Sequence, residues 1–167
     1  MPPVTRRGQI LRNLVIRKYT HKNYISQDAN HIHIFCDGGI TTNPGGTATF
    51  GWIARQGQHI IAQDSGIIGT GEGMTNNIAE YQALIQALQW AASLSPSQIF
   101  IYSDSQLIVN QVNKTWRCHS ADLAPLQHKA RTLLKSVNAT LCWTPRENNA
   151  EADRLAFEAL QKPSNAL

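Results

Sequence analysis

Short apolar runs and helical repeats alternate along the chain and predict its secondary structure. Three runs separated by turn residues predict consecutive strands, and two later runs predict two more. Apolar positions that recur every three or four residues predict four helices. The predicted strands are 31–36, 47–55, 59–68, 99–102 and 139–143, and the predicted helices are 76–94, 105–113, 120–137 and 148–161.

The order of these elements, β-β-β-α-β-α-α-β-α, predicts an α/β fold in which helices flank a mixed five-stranded sheet. A chain of 167 residues has the length of one domain. We assign residues 31–162 to that domain, with a basic N-terminal extension at 1–30 and a tail at 163–167. No apolar run is long enough to cross a membrane. Three widely spaced cysteines predict buried, reduced thiols, which favours a cytoplasmic protein.

The net charge of +4 is unevenly distributed along the chain. Residues 1–30 contain six Lys or Arg side chains and one acidic side chain, a net charge of +5, which leaves the remainder near −1. A basic extension on a nearly neutral domain favours a polyanionic partner such as nucleic acid. A strand or helix docked on the domain, or an organelle-targeting segment without a clear cleavage site, are the alternatives.

Two acidic side chains follow buried strands of the predicted sheet. Asp37 ends the first strand and precedes two glycines, and Asp104 ends the fourth strand. Ligands of open α/β sheets usually bind beyond the carboxyl ends of the strands. We therefore expect both carboxylates to face one cleft.

Two more acidic side chains lie on the predicted inner faces of helices. Glu80 shares a face with Leu84. Asp153 shares its face with Ala156, Phe157 and Leu160. Any one of these acids has a simple alternative role at a helix N-terminus. Four converging carboxylates repel one another, however, and require a compensating cation. Because the ligands are oxygens without a His or Cys cluster, we expect Mg²⁺ or Mn²⁺.

Four segments of the chain carry distinctive motifs around these acids. They are the stretch from Asp37 to Gly45, then "TNNIAEYQALIQAL", "YSDSQLIVNQV" and "WTPRENNAEADRLA". In this order they resemble the signature segments of the type 1 ribonuclease H family. The intervals between the acids, 43, 24 and 49 residues, resemble those of its compact, archaeal-type branch. The resemblance covers residues 31–161 and implies a ribonuclease H-like fold.

The resemblance implies an endoribonuclease that hydrolyses the RNA strand of RNA/DNA hybrids and leaves 5′-phosphate and 3′-hydroxyl ends. It also implies two Mg²⁺ or Mn²⁺ ions per active site, held by Asp37, Glu80, Asp104 and Asp153. Asp37 is expected to bridge both ions. Glu80 and Asp104 are expected to hold the ion beside the attacking water, and Asp153 to complete the other metal site.

The resemblance further implies contacts with both strands of the hybrid. The positions that match the family's contacts to RNA 2′-hydroxyls are Asn43, Asn76, Gln106 and the backbone near Gly39 and Ile40. An amide suits this task because it donates and accepts, as the hydroxyl does. Thr75 and Asn77 match positions that bind the DNA strand. Helix capping is an additional role for Asn76 and Asn77.

Arg146 marks one departure from many relatives, which carry a histidine in this loop. No histidine follows His128, and Arg146 in "TPREN" resembles the arginine of the archaeal-type branch. Arginine does not deprotonate, so we expect a phosphate or leaving-group contact. A surface salt bridge with Glu147 or Glu151 is the alternative.

A second departure is the short link at residues 113–121, where several relatives insert a basic helix that grips the hybrid. Lys114, Trp116 and Arg117 remain there for a reduced DNA contact. Packing against the domain is the alternative role for Trp116.

Two other function classes stay open. One is a non-catalytic nucleic-acid-binding domain on the same fold, against which the four acids argue. The other is a ribonuclease H domain derived from a reverse transcriptase or mobile element. The initiating methionine and the compact length favour a free-standing enzyme, which we expect to be a monomer. Integrases and resolvases of this fold would have no use for the amide side chains.

Overall fold

The computed structural model describes residues 30–94 and 98–162. The strands are β1 (His31–Ile40), β2 (Gly45–Gln56), β3 (His59–Gly71), β4 (Gln98–Ser103) and β5 (Ala139–Trp143). The α-helices are α1 (Asn76–Ala91), α2 (Gln106–Val112), α3 (Ala124–Ser136) and α4 (Ala150–Glu158). Short 3-10 helices at Arg146–Asn148 and Ala159–Gln161 flank α4. This order confirms the sequence prediction, while the basic extension and the tail lie outside the described residues.

The five strands form one mixed sheet in the order β3-β2-β1-β4-β5. β1 pairs with β2, and β2 with β3, in antiparallel fashion. β1 and β4 are parallel, as are β4 and β5. The mixed sheet predicted from the sequence is confirmed, and its parallel half provides the carboxyl-terminal edge at which ligands usually bind.

Several element boundaries differ from the predicted ones. β1 continues through its two glycines to Ile40, which still pairs with Ala48 of β2. Asp37 therefore lies inside a strand, and its predicted place at a strand end is wrong. Helix α3 begins at Ala124 rather than at residue 120, because Pro125 suits a first helical turn, whose N–H groups lack helical partners.

Helices cover both faces of the sheet. Gly38 faces α1 and the next residue, Gly39, faces α4, as expected for neighbours along a strand. The larger core lies between α1 and the sheet, and the smaller core lies under α4. Large side chains of the first core include Ile34, Trp52, Leu84, Ile101 and Leu141. Those of the second core include Phe35, Ile53, Phe100, Tyr102 and Leu155.

The cysteines are free thiols, with Cys36 and Cys142 buried and Cys118 partly exposed. Burial raises the pKa of the Cys142 thiol to about 11. Within the ranges that the structure describes, every helix is too short or too polar to cross a membrane.

Candidate active site

Asp37 and Asp104 come together because β1 and β4 are parallel neighbours. The last pair in their ladder is Phe35 with Tyr102. Each acid lies two residues beyond that pair on its own strand. The two carboxylates therefore meet where the strands separate, at the edge of the sheet that the sequence indicated.

Glu80 reaches the same point from α1. It is the fifth residue of that helix and is buried together with Leu84 on the predicted inner face. The backbone N–H of Gly38 donates a hydrogen bond to Glu80 Oε2 over 3.2 Å. The backbone of Ala79 occupies the space that a Cβ atom on residue 38 would need, so only glycine fits there. The glycine thus lets the helix approach the strand closely enough for Glu80 to join the strand-borne acids.

Asp37, Glu80 and Asp104 form a compact carboxylate cluster, in which one oxygen from each lies within 4.8 Å of the others. Burial, reinforced by the negative charge of neighbouring acids, raises the pKa of Asp37 to about 9 and that of Glu80 to about 8. The pKa of Asp104 is also raised, mainly by burial. Without a cation, the cluster therefore retains protons at neutral pH.

The donor set of this cluster fits a hard divalent cation. All three groups are carboxylates, and carboxylate oxygens are the ligands that Mg²⁺ and Mn²⁺ prefer. A cation at this point would also relieve the mutual repulsion that helps to keep the acids protonated. The residues present thus suit the metal chemistry expected from the sequence.

Asp153 lies at the open side of the cluster, not in the core. It is the fourth residue of α4, and its side chain is 52% exposed. The predicted inner face is confirmed for Ala156, which is buried, and wrong for Phe157 and Leu160, which are exposed. The residues that α4 buries are Ala152, Leu155 and Ala156. The Asp153 carboxylate is nevertheless near enough to help to raise the pKa of Asp37.

Arg146 points toward the acids from the 3-10 turn before α4. Its Nη2 lies 3.9 Å from Asp153 Oδ1, and its side chain is 83% exposed. The guanidinium opposes the rise in the pKa of Glu80 and of Asp104. The predicted alternative pairing with Glu151 is wrong, because that carboxylate contacts Arg55 over 2.6 Å.

These groups line a cleft of about 500 Å³ at the open end of the sheet. Its polar lining includes the four acids and Arg146. Its apolar lining includes Ile40, Ala156, Phe157 and Leu160. Of the predicted substrate contacts, Gly39 and Asn76 line this cleft.

The other predicted substrate contacts lie outside this lining. Asn43 Oδ1 accepts a hydrogen bond from the backbone N–H of Asn76 over 3.0 Å. Thr75 is the N-cap of α1, so the capping role expected for Asn76 and Asn77 is wrong. Asn77 is partly buried at the second position of the helix. Gln106 is exposed at the start of α2.

Two residues near the cluster were not among the sequence-based candidates. Trp143 Nε1 donates a hydrogen bond to the carbonyl of Asp104 over 3.1 Å. Asn149 Nδ2 donates to the carbonyl of Cys36 over 3.0 Å, immediately before Asp37. The partners are 39 and 113 positions apart in the sequence, so a local pattern does not indicate them.

A second cavity, of about 490 Å³, lies at the short link predicted to replace the basic helix. Trp116 is 47% exposed there, so about half of its surface is covered and half is open to a ligand. Three cationic side chains, Lys114, Arg117 and Arg131, line the cavity together with His119.

The fold and the site define an α/β protein with a carboxylate cluster in a cleft at the open end of a mixed sheet. The sequence profile of the family described as "Reverse transcriptase-like" matches residues 35–159. The chain is 38% identical over 131 residues to Ribonuclease HI of Halobacterium salinarum, which covers 77% of this chain and 64% of that protein. This chain thus spans less than two thirds of that relative's length.

Solved structures that share the fold include two RNase H1 enzymes. RNase H1 from the halophilic archaeon Halobacterium salinarum has a TM-score of 0.72 and 38% identity, covering 78% of this chain and 98% of that chain. LC11-RNase H1, obtained from compost by a metagenomic approach, was solved in complex with an RNA/DNA hybrid. That complex has a TM-score of 0.70 and 32% identity, covering 78% of this chain and 97% of that chain. The chain belongs to the type 1 ribonuclease H family, as its motifs predicted.

Proposed function

We propose that this protein is a ribonuclease H that hydrolyses the RNA strand of RNA/DNA hybrids with the aid of two divalent metal ions. The observation that carries the proposal is the cluster of three carboxylates, two of them buried, whose oxygens lie within 4.8 Å of one another. Asp153 and Arg146 line the same cleft. The hybrid bound to a relative of 32% identity supports this choice of substrate.

Asp37, Glu80 and Asp104 would hold one ion, and Asp37 with Asp153 would hold the other. When bound, the ions supply a water of lowered pKa and stabilise the charge on the leaving 3′-oxygen. The protein gathers the carboxylates before substrate arrives, because two come from parallel strands and one is fixed to Gly38. Such preorganisation reduces the rearrangement that the reaction itself requires.

Arg146 would bind the scissile phosphate or the leaving group. Its guanidinium is exposed and 3.9 Å from the Asp153 carboxylate, so it can contact an anion that enters the cleft. It offers several N–H donors in one plane, a geometry that matches phosphate oxygens. It remains protonated throughout and is therefore not a general base.

Selection of RNA would depend on other residues at this cleft and next to it. Gly39 and Asn76 line it, and Asn43 is fixed to the backbone of Asn76. We assign these residues, with Gln106, to the 2′-hydroxyls of the RNA strand, which distinguish RNA from DNA. Thr75 and Asn77 at the start of α1 are assigned to the DNA strand.

The second cavity would provide a further contact with the DNA strand. It lies beyond the C-terminus of α2, whose seven residues span about 10 Å. Lys114 and Arg117 supply positive charge there, and the exposed Trp116 supplies an aromatic face. Since all four acids come from one chain, we infer that the enzyme acts as a monomer.

Analysis of the product ends tests the proposed chemistry. A hybrid labelled in its RNA strand is incubated with protein and Mg²⁺, and the fragments are examined for terminal phosphates. Attack by water with a 3′-oxygen leaving group predicts 5′-phosphate and 3′-hydroxyl ends. Fragments with a 2′,3′-cyclic phosphate would show attack by the RNA's own 2′-hydroxyl and would contradict the proposal.

A further inference from the structure

The side chain of Asn149 contacts β1 just beyond the last residue of β1 that pairs with β4. The side chain is 1% exposed, and its Nδ2 donates to the carbonyl of Cys36 over 3.0 Å. The β1–β4 ladder ends one residue earlier, at the pair of Phe35 and Tyr102. The residue after Cys36 is Asp37, so the amide contacts the strand directly before the cluster acid.

The backbone of Asn149 is bonded to the two residues that contribute the exposed acid and the arginine of the cleft. Its carbonyl accepts a hydrogen bond from the N–H of Asp153 over 3.1 Å. Its own N–H donates to the carbonyl of Arg146 over 2.9 Å. One residue thus joins the segments that carry Asp37, Asp153 and Arg146.

The other end of the same loop makes a parallel contact. The backbone N–H of Thr144 donates to the carbonyl of Ser103 over 3.0 Å, directly before Asp104. The loop from β5 to α4 therefore bonds the carbonyl that precedes each strand-borne acid. Only the contact of Asn149 is made by a side chain, so it is the one that substitution can remove.

The Asn149 side chain carries an energetic cost. Its Oδ1 is buried and has no hydrogen-bond partner in the described part of the chain. A buried polar atom without a partner destabilises the folded state. A 180° flip of the amide would place Oδ1 against the Cys36 carbonyl, and neither oxygen can donate a hydrogen bond. Leucine has nearly the same shape and would remove this oxygen, but it would also remove the donor to the Cys36 carbonyl. Such local conflicts are expected at functional sites.

We propose that Asn149 is a positioning residue, whose amide sets the placement of Asp37 relative to Asp153 and Arg146 and so controls how well the acids hold a divalent cation. This role rests on the proposed function. Groups that orient metal ligands commonly affect metal affinity or activity by about 10–100-fold.

The test compares Asn149→Leu with Asn148→Leu as a matched control. Asn148 is the preceding residue, is partly exposed, and makes no side-chain hydrogen bond within the described residues. Mn²⁺ is titrated into each metal-free protein, and the electron paramagnetic resonance signal of free Mn²⁺ reports binding without substrate. For Asn149→Leu we expect about tenfold weaker Mn²⁺ binding and about tenfold lower kcat, with KM for the hybrid within about twofold of wild type. The urea midpoint should stay near wild type, because the lost bond and the removed orphan oxygen offset each other.

Two results would overturn the positioning role while wild type binds Mn²⁺ and cleaves hybrid. One is Mn²⁺ affinity and kcat equal to those of Asn148→Leu. The other is a much lower urea midpoint with unchanged Mn²⁺ affinity, which would make Asn149 purely structural. If Asn149→Leu does not fold, Asn149→Ala is measured against Asn148→Ala with the same criteria. A wild-type protein that neither binds Mn²⁺ nor cleaves the hybrid overturns the proposed function as well.

Discussion

The backbone N–H of Gly38 donates a hydrogen bond to the Glu80 carboxylate over 3.2 Å, which ties the first helix to the strand that carries Asp37. The contact exists because α1 crosses β1 with the backbone of Ala79 in the space of a Gly38 side chain. One glycine thus determines both the packing of the helix and the position of a cluster acid.

Gly38→Ala should therefore destabilise the fold and disrupt the cluster. The added methyl group overlaps backbone atoms of α1, which cannot rotate away as a side chain would. We expect a loss of about 3 kcal/mol in urea unfolding, together with loss of cleavage. Gly73→Ala is the control, since nothing lies within 4 Å of its added methyl group. Equal stability of the two variants would contradict the close approach.

Removing one cluster acid should separate activity from stability. Asp104→Asn keeps the shape of the side chain and removes one of the mutually repelling charges. Cleavage should fall below about a tenth of wild type, whereas the metal-free protein should be as stable or more stable. Asp122→Asn, at an exposed position, is the control. A variant that retains most of its activity would exclude Asp104 as a metal ligand.

The stability of the metal-free protein should fall as pH rises. The pKa of Asp37 is raised to about 9 and that of Glu80 to about 8, from ordinary values of 3.8 and 4.5. Between the ordinary and raised values the folded state binds more protons than the unfolded state, so the free energy of unfolding decreases with pH. That contribution is complete below about pH 4 and is lost by about pH 9.

Urea midpoints measured between about pH 5 and pH 9 give this dependence. The contribution of Asp37 is the pH dependence of wild type minus that of Asp37→Asn. Saturating Mg²⁺ should flatten the curve, because a cation takes the place of the protons. If the urea midpoint of wild type rises more steeply with pH than that of Asp37→Asn, the cluster is ionised without metal.

Arg146→Ala should reduce kcat about thirtyfold, which corresponds to about 2 kcal/mol of transition-state stabilisation by a charged phosphate contact. Metal dependence should change little. Arg154→Ala is the control, since that guanidinium pairs with Glu158 over 2.7 Å. Arg146→Lys keeps the charge without the planar set of donors, so full activity in this variant would contradict the proposed geometry.

Residues 1–26 should contribute affinity for the hybrid and little to the chemistry. Their basic side chains give the N-terminal extension its positive charge, whereas the remaining chain is nearly neutral. Deleting them should raise KM, leave kcat almost unchanged and reduce the slope of log affinity against log salt by roughly two to four. A variant with Arg6, Arg7, Arg12 and Arg17 changed to Gln separates charge from chain length. A truncated protein that melts early with its salt slope intact would instead show a structural role.

The sequence was sufficient to predict the fold because the patterns that indicate strands and helices are local. Apolar periodicity indicated every described strand and α-helix in the right order, but not the 3-10 helix at Arg146–Asn148. The predicted end of β1 was wrong because Gly38 and Gly39 resemble a strand terminus. Gly38 is instead needed for the close packing of a helix that lies about forty residues further along the chain.

The positions of the acids that follow strands could be predicted from the order of the strands. The positions of residues that depend on helix packing could not. Asp37 and Asp104 meet because their strands are parallel neighbours. The exposure of Asp153 depends on how α4 rests on the sheet, which its own periodicity did not reveal. Asn149 was missed because its partner, Cys36, is 113 positions away.

Cleavage of three duplexes of one sequence is the most direct test of the proposed function. An RNA/DNA hybrid, a double-stranded RNA and a double-stranded DNA are each incubated with wild-type protein and Mg²⁺, with chelator as the control. The carboxylate cluster and the contacts assigned to each strand predict metal-dependent cleavage of the RNA strand of the hybrid, with the double-stranded DNA left intact. Binding of the hybrid without cleavage in Mg²⁺ or Mn²⁺, or equal cleavage of the DNA duplex, would contradict the account.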